Sequence, residues 1–264
     1  MLFSSCFSRE ISFGFKASCV VMILYNTSYS TCSQKVRICM AEKGIEWEDR
    51  QVDLAAGGHL TQEYLKLNAN GVVPTLIHEG RIVIESSVIC EYLEELHPKP
   101  ALMPDSPHGR AIVRAWMRYI EEVPTASVRV PSFNTLFSSA LSQWSDNELR
   151  SQADRRPLRK HFYLKLHGGK FSEAEYDASL ERLSQTISRM EAALAGGPWL
   201  LGRQLTLADV MLIPLITRME DIGLAYLWAG APRVTDWFAH VKTRPSFDVA
   251  FYPSARIMLS SAAQ

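Results

Sequence analysis

The residues best suited to chemistry lie in a polar stretch, Asn26 to Ser33, between an apolar run and a helical one. Ser30 and Cys32 stand there, where the helix begins. The first turn of a helix presents unpaired backbone N–H groups and the positive end of the helix dipole, and both favour an anion. A hydroxyl at that point can cap the helix, or donate a hydrogen bond to a thiolate and lower its pKa. A thiol can pack as a small buried group, or react as a thiolate and form mixed disulfides. Cys32-Ser33-Gln34-Lys35 lacks a second Cys, which excludes a dithiol mechanism. A second place of this kind is Glu85-Ser86, an acid beside a hydroxyl at another predicted helix start. Between the two, Val73-Pro74 leads into a short strand, where proline need not donate to the ladder.

The elements that must position these groups can be read from periodicity. Val20 to Tyr25 is a continuous apolar run, the mark of a strand covered on both faces. Val36, Cys39 and Met40 give the next segment a helical stripe, and Gly44 sits where a C-terminal cap belongs. Glu48 to Leu54 reads as a second strand, which completes a βαβ unit with a right-handed crossover. A turn-rich segment from Leu67 opens onto a strand after Pro74, and Glu79-Gly80 can close a hairpin to Arg81–Ile84. A helix from Ser86 carries Val88, Ile89, Tyr92, Leu93 and Leu96 on one face and ends near Pro98. Residues 22–98 are thus a compact α/β domain, and 99–108 read as a linker.

From 109 to 264 the chain is all helical. Val113, Trp116, Met117 and Ile120 form one stripe, in which Trp116 reads as core, and Leu180 to Leu194 form another. Thr206-Leu207-Ala208-Asp209 has a capping pattern, giving Asp209 a structural role. Residues 130–172 lack a clear period. Their basic cluster, Arg155, Arg156, Arg159 and Lys160, reads as a solvated helix face.

Composition narrows the function classes. The 28 basic and 28 acidic side chains balance, so nothing points to nucleic acid or an anionic membrane as partner. No apolar run approaches the roughly 18 residues of a membrane span. The five cysteines form no C-x-x-C pair, which indicates neither a disulfide framework nor a metal site and suits a reducing, cytoplasmic setting. Residues 1–21 read as an extension with Met22 the natural beginning, the alternative being organelle targeting.

Four strings in order resemble the cytosolic glutathione transferase superfamily, from about Ile23 to Phe251. They are Ser30-Thr31-Cys32-Ser33-Gln34-Lys35-Val36-Arg37, Asn68-x-x-Gly71-x-Val73-Pro74, Glu85-Ser86, and Leu205-Thr206-Leu207-Ala208-Asp209. The middle region, from Ser145 to Phe171, is most similar to the bacterial β-aryl-etherase branch. The resemblance implies a thioredoxin-like domain that binds glutathione, followed by a helical bundle that receives a small electrophilic or aromatic substrate. It further implies a homodimer with a detoxification role. It assigns the thiol contact to Ser30 (zeta and omega types) or to Cys32 (beta type). Pro74 would be cis, leaving the Val73 backbone to pair with the cysteinyl residue. Glu85 and Ser86 would hold the γ-glutamyl end, with His59 and Gln62 near the glycyl carboxylate. A Cys32-dependent glutathione reductase and a binding protein without turnover are the competing readings.

Overall fold

A computed structural model describes residues 22–257, so the extension at 1–21 lies outside the described residues. Strand β1 (Met22–Asn26) pairs in parallel with β2 (Trp47–Gln51) and antiparallel with β3 (Thr75–His78), which in turn pairs with β4 (Arg81–Ile84). The sheet order is β2-β1-β3-β4. Met22, Leu24 and Asn26 are buried, whereas Ile23 and Tyr25 are only partly covered, so the burial of β1 is one-sided rather than equal on both faces. β2 is shorter than its sequence suggested: four of its five residues are exposed, and pairing ends at Gln51. Val52 adds one bond, donating its N–H to the Asn26 carbonyl (2.7 Å). Glu79 and Gly80 turn the β3–β4 hairpin with φ of 50° and 74°, the left-handed pair of a tight hairpin.

Helix α1 (Thr31–Glu42) connects β1 to β2, α2 (Gln62–Leu67) precedes β3, and α3 (Ser86–Leu96) follows β4. Gly44 takes φ 62° just past α1, as a C-terminal cap requires. The segment after α3 is tied down rather than loose. Lys43 Nζ reaches the carbonyls of His97 (2.7 Å) and Pro100 (3.0 Å), and Glu94 accepts from the N–H groups of Leu102 (3.0 Å) and Met103 (3.1 Å).

Helix α4 (Pro107–Glu122) begins six residues before the first member of its apolar stripe, Val113, because Ser106 caps it by accepting from the Gly109 N–H (3.1 Å) and Pro107 suits the first turn. Next come the short helices α5 (Pro124–Ser127), α6 (Arg129–Ser132) and α7 (Ser138–Leu141), with one wide turn over Phe133–Phe137. Then α8 (Asp146–Asp154), α9 (Lys160–Tyr163), α10 (Glu173–Ala193), α11 (Leu207–Asp221), α12 (Pro232–Lys242) and α13 (Pro245–Ala250) complete the bundle. A small second core of Leu141, Leu166 and Phe171, ringed by Phe133, Phe137, Trp144, Phe162 and Tyr163, holds the irregular middle region together.

The capping pattern before α11 does more than cap. The fully buried Asp209 accepts from the N–H groups of Leu200 and Thr206 (3.0 Å each), the Thr206 hydroxyl (3.0 Å) and the Trp237 indole (3.1 Å). Burial pushes its pKa up, and the four donors pull it back part of the way. No helix among the described residues is long and apolar enough to cross a membrane.

Candidate active site

The start of α1 is built by polar bonds rather than by packing alone. Ser30 is its N-cap: the side-chain oxygen accepts from the Ser33 N–H at 3.3 Å. That bond uses the oxygen as acceptor, so the hydroxyl proton stays available for an anion in front of the helix. Cys32, in the first turn, is half-buried and free. Asn26, Thr27, Ser28 and Tyr29 lead into the cap, and their carbonyls are held from behind. Arg37 donates to Asn26 Oδ1 (2.5 Å) and to the carbonyls of Thr27 (3.3 Å), Ser28 (2.5 Å) and Ala250 (3.0 Å). Arg218 of α11 donates to the Tyr29 carbonyl at 2.6 Å. Residues 33–40 of α1 are all buried, charged ones included. Lys35 pairs with Glu121 (3.1 Å) and Thr125 (3.2 Å), and Gln34 donates to the Ala255 carbonyl (2.8 Å). The turn is therefore clamped by the second half of the chain.

The Val73-Pro74 bond is cis. Around it, Val72 O accepts from the Tyr64 hydroxyl (2.7 Å) and the Asn68 amide (3.0 Å), which themselves meet Thr75 Oγ1. Among the described residues, the Val73 N–H and C=O take part in no hydrogen bond. They offer a short free edge beside β3. Glu85 has φ 69°, a conformation few side chains adopt without a local reason. Its carboxylate is exposed and accepts from Asn70 Nδ2 (3.1 Å), which brings the Asn68 loop to the start of α3. Ser86, 4% exposed, is the first residue of α3.

His59 and Gln62 lie farther along, before and within α2. His59 is buried with Nδ1 unpartnered, and its pKa is lowered to about 4 by burial and then by Arg156 and Arg155. Gln62 is exposed. The basic cluster is not a solvated face. Arg155 and Lys160 are exposed, but Arg156 is buried against the Tyr163 ring (4.3 Å), and Arg159 is half-buried. Stacking lets a guanidinium lie inside an aromatic core, an outcome that charge counting misses. Tyr29, which periodicity did not single out, faces Phe137 with ring centres 6.2 Å apart. Trp116 packs in the core as expected, at 7% exposure.

A four-stranded sheet with a cis-proline loop and two open helix starts, backed by a helical bundle, is the architecture of a thioredoxin-like transferase. Residues 29–96 match the glutathione S-transferase N-terminal domain and 158–240 the C-terminal domain, and the chain belongs to the glutathione S-transferase family. A maleylacetoacetate isomerase from Pseudomonas aeruginosa is 31% identical, covering 81% of this chain and 90% of its own. Protein LigF from Sphingobium sp. is 25% identical, covering 88% and 94%. The crystal structure of beta-etherase LigF superposes with a TM-score of 0.79 over 88% of this chain and 98% of its own, at 24% identity. Maize glutathione S-transferase I, in complex with an atrazine glutathione conjugate, gives 0.71 at 25% identity over 89% and 99%.

Proposed function

We propose that this protein binds glutathione along the edge formed by Ser30, Val73 and Ser86, and that it uses the thiolate on an electrophilic, aryl or aryl-ether substrate. The single observation that carries this reading is the free backbone of Val73, which lies in the chain between the helix starts at Ser30 and Ser86. An extended tripeptide can add there as a strand through its cysteinyl residue. Its thiol then meets Ser30, and its γ-glutamyl carboxylate meets Ser86 and the N–H groups opening α3. Glu85 accepts the γ-glutamyl ammonium. His59, held neutral, and Gln62 flank the glycyl end and contribute hydrogen bonds rather than charge.

Ser30 stabilises the thiolate, because its hydroxyl proton is uncommitted while its oxygen caps α1. The aromatic faces of Tyr29 and Phe137 on the bundle side support an aromatic acceptor. Exposed Ile82, Val88 and Ile112, on β4, α3 and α4, are apolar side chains that a homodimer would cover.

Turnover of 1-chloro-2,4-dinitrobenzene with glutathione tests the assignment. Ser30→Ala should lower kcat/KM by about 10- to 100-fold, the loss of one hydrogen bond to a charged group, while Cys32→Ser stays within a few-fold. Cys32 is free and half-buried in the first turn, so the reversed pattern would identify a thiol-disulfide enzyme. Glutathione binding with no turnover of any electrophile would identify a binding protein.

A further inference from the structure

The loop that leads into α2 reads Ala55-Ala56-Gly57-Gly58-His59-Leu60-Thr61-Gln62 and contains no Lys or Arg. His59 is neutral there, its pKa lowered to about 4 by burial and then by Arg156 and Arg155. Glutathione bound as proposed above brings its glycyl end to this loop, and a terminal carboxylate is ionised at neutral pH. The loop itself thus offers that end hydrogen bonds but no counter-charge.

The second half of the chain brings one to the same place. Arg155 closes α8, and its guanidinium lies against Gly57: a Cβ at that glycine would stand 4.0 Å from Arg155 Nη2. Two residues on, Pro157 seats against the loop that carries Val73, since a Cβ at Gly71 would stand 3.4 Å from Pro157 Cδ and 3.1 Å from Leu60 Cδ2. Between these contacts Arg156 is the anchor, buried on the Tyr163 ring (4.3 Å) and donating to Gln152 Oε1 (2.9 Å). The segment 155–157 therefore bridges the Gly57 and Gly71 loops from a fixed base. Its neighbours are engaged, Lys160 with Asp154 (2.7 Å) and Arg156 with Gln152, whereas the Arg155 guanidinium has no acceptor among the described residues. Arg155 is exposed, so a carboxylate bound to it stays partly solvated and is screened by salt.

We propose that Arg155 is the counter-charge for the glycyl carboxylate, so that the helical half completes the glutathione site and selects thiols with a free C-terminal carboxylate. The inference rests on the transferase reading above. The rival cation is Lys66, one turn past Gln62 on α2, and the test separates the two.

The probes are glutathione and glutathione amide, in which a neutral carboxamide replaces the glycyl carboxylate, and calorimetric titration reads their Kd without need of turnover. Wild type should bind glutathione about 5- to 10-fold more tightly than the amide at low salt. That preference should shrink toward parity near 1 M salt, where the screening length is only about 3 Å. Arg155→Met, which keeps most of the apolar stem, should bring the two Kd values within about twofold by weakening glutathione alone. Arg155→Gln should do the same and serves if the first variant fails to fold, whereas Arg155→Lys should recover part of the preference. Lys66→Met should keep it in full. Equal affinity of wild type for the two probes overturns the site, whatever the variants do. Equal weakening of both probes in the Arg155 variants also overturns it and makes the residue structural. A preference lost in Lys66→Met and kept in Arg155→Met assigns the carboxylate to Lys66 and overturns it too. Wild type that binds neither probe removes the transferase reading, and this site with it.

Discussion

Replacing Asp209 with asparagine exchanges one oxygen for an amide nitrogen and should cost about 2 kcal/mol, because three of the four groups bonded to it can only donate. One carboxylate oxygen takes the Leu200 N–H and the Trp237 indole, and the other takes the Thr206 N–H and hydroxyl. The amide will turn its nitrogen toward Thr206, where the hydroxyl can rotate to accept, and only the Thr206 N–H is then left without a partner. Asp209→Ala strands three buried N–H donors, which at ~1–1.5 kcal/mol each amounts to about 3–5 kcal/mol, a large share of the roughly 5–15 kcal/mol available to a folded protein. Urea unfolding followed by far-UV circular dichroism measures both, and avoids the fluorescence of Trp237 itself. Glutathione affinity of the folded fraction should stay unchanged. The reasoning fails if the asparagine variant lies within 0.5 kcal/mol of wild type (about the lower limit for a single hydrogen bond), or if the alanine variant is no worse than the asparagine one.

Arg218→Met frees the Tyr29 carbonyl, and kcat/KM should drop about tenfold through a misplaced turn while the midpoint of urea unfolding falls only modestly; unchanged kinetics would show that the turn holds itself. Glu85→Gln should raise the KM for glutathione by about 10-fold or more, as expected for losing a charged hydrogen bond, with kcat nearly constant, as steady-state kinetics at varied glutathione would show. His59 has a folded pKa of about 4 against an unfolded value of 6.5, so its neutral form contributes stability that is fully present above pH 6.5 and fades as pH falls toward 4. After allowance for solvent screening this is about 1–2 kcal/mol; unfolding curves at pH 7 and pH 5 should show wild type losing more than His59→Gln, and parallel losses would refute it.

Features written in local chemistry could be read directly. The hairpin at Glu79-Gly80, the cap at Gly44 and the acceptor role of Asp209 each depend on residues a few positions apart. The glutathione-site candidates Ser30, Val73 and Ser86 sit at element starts, which turn and periodicity signals locate. What periodicity could not show was the inner face of α1. Gln34, Lys35 and Arg37 carry no local sign of burial, yet the partner of Gln34 lies 221 residues away and one of Arg37's lies 213 away. The stretch from α5 to α9 failed for a related reason. Its helices are too short to show a period, and aromatic stacking draws Arg156 inward where charge alone would place it outside.

The clamp on the α1 turn has a consequence for synthesis. Arg37 leaves the ribosome long before Ala250, the carbonyl it will hold. At ~5–20 residues per second this gap lasts about 10 to 40 s. During that interval Arg37 holds only the local carbonyls and lacks its bond to Ala250, and Gln34 lacks Ala255. A segment made 213 residues later thus completes the α1 turn, and under the proposed function glutathione competence should arrive after that segment emerges rather than with the first domain alone.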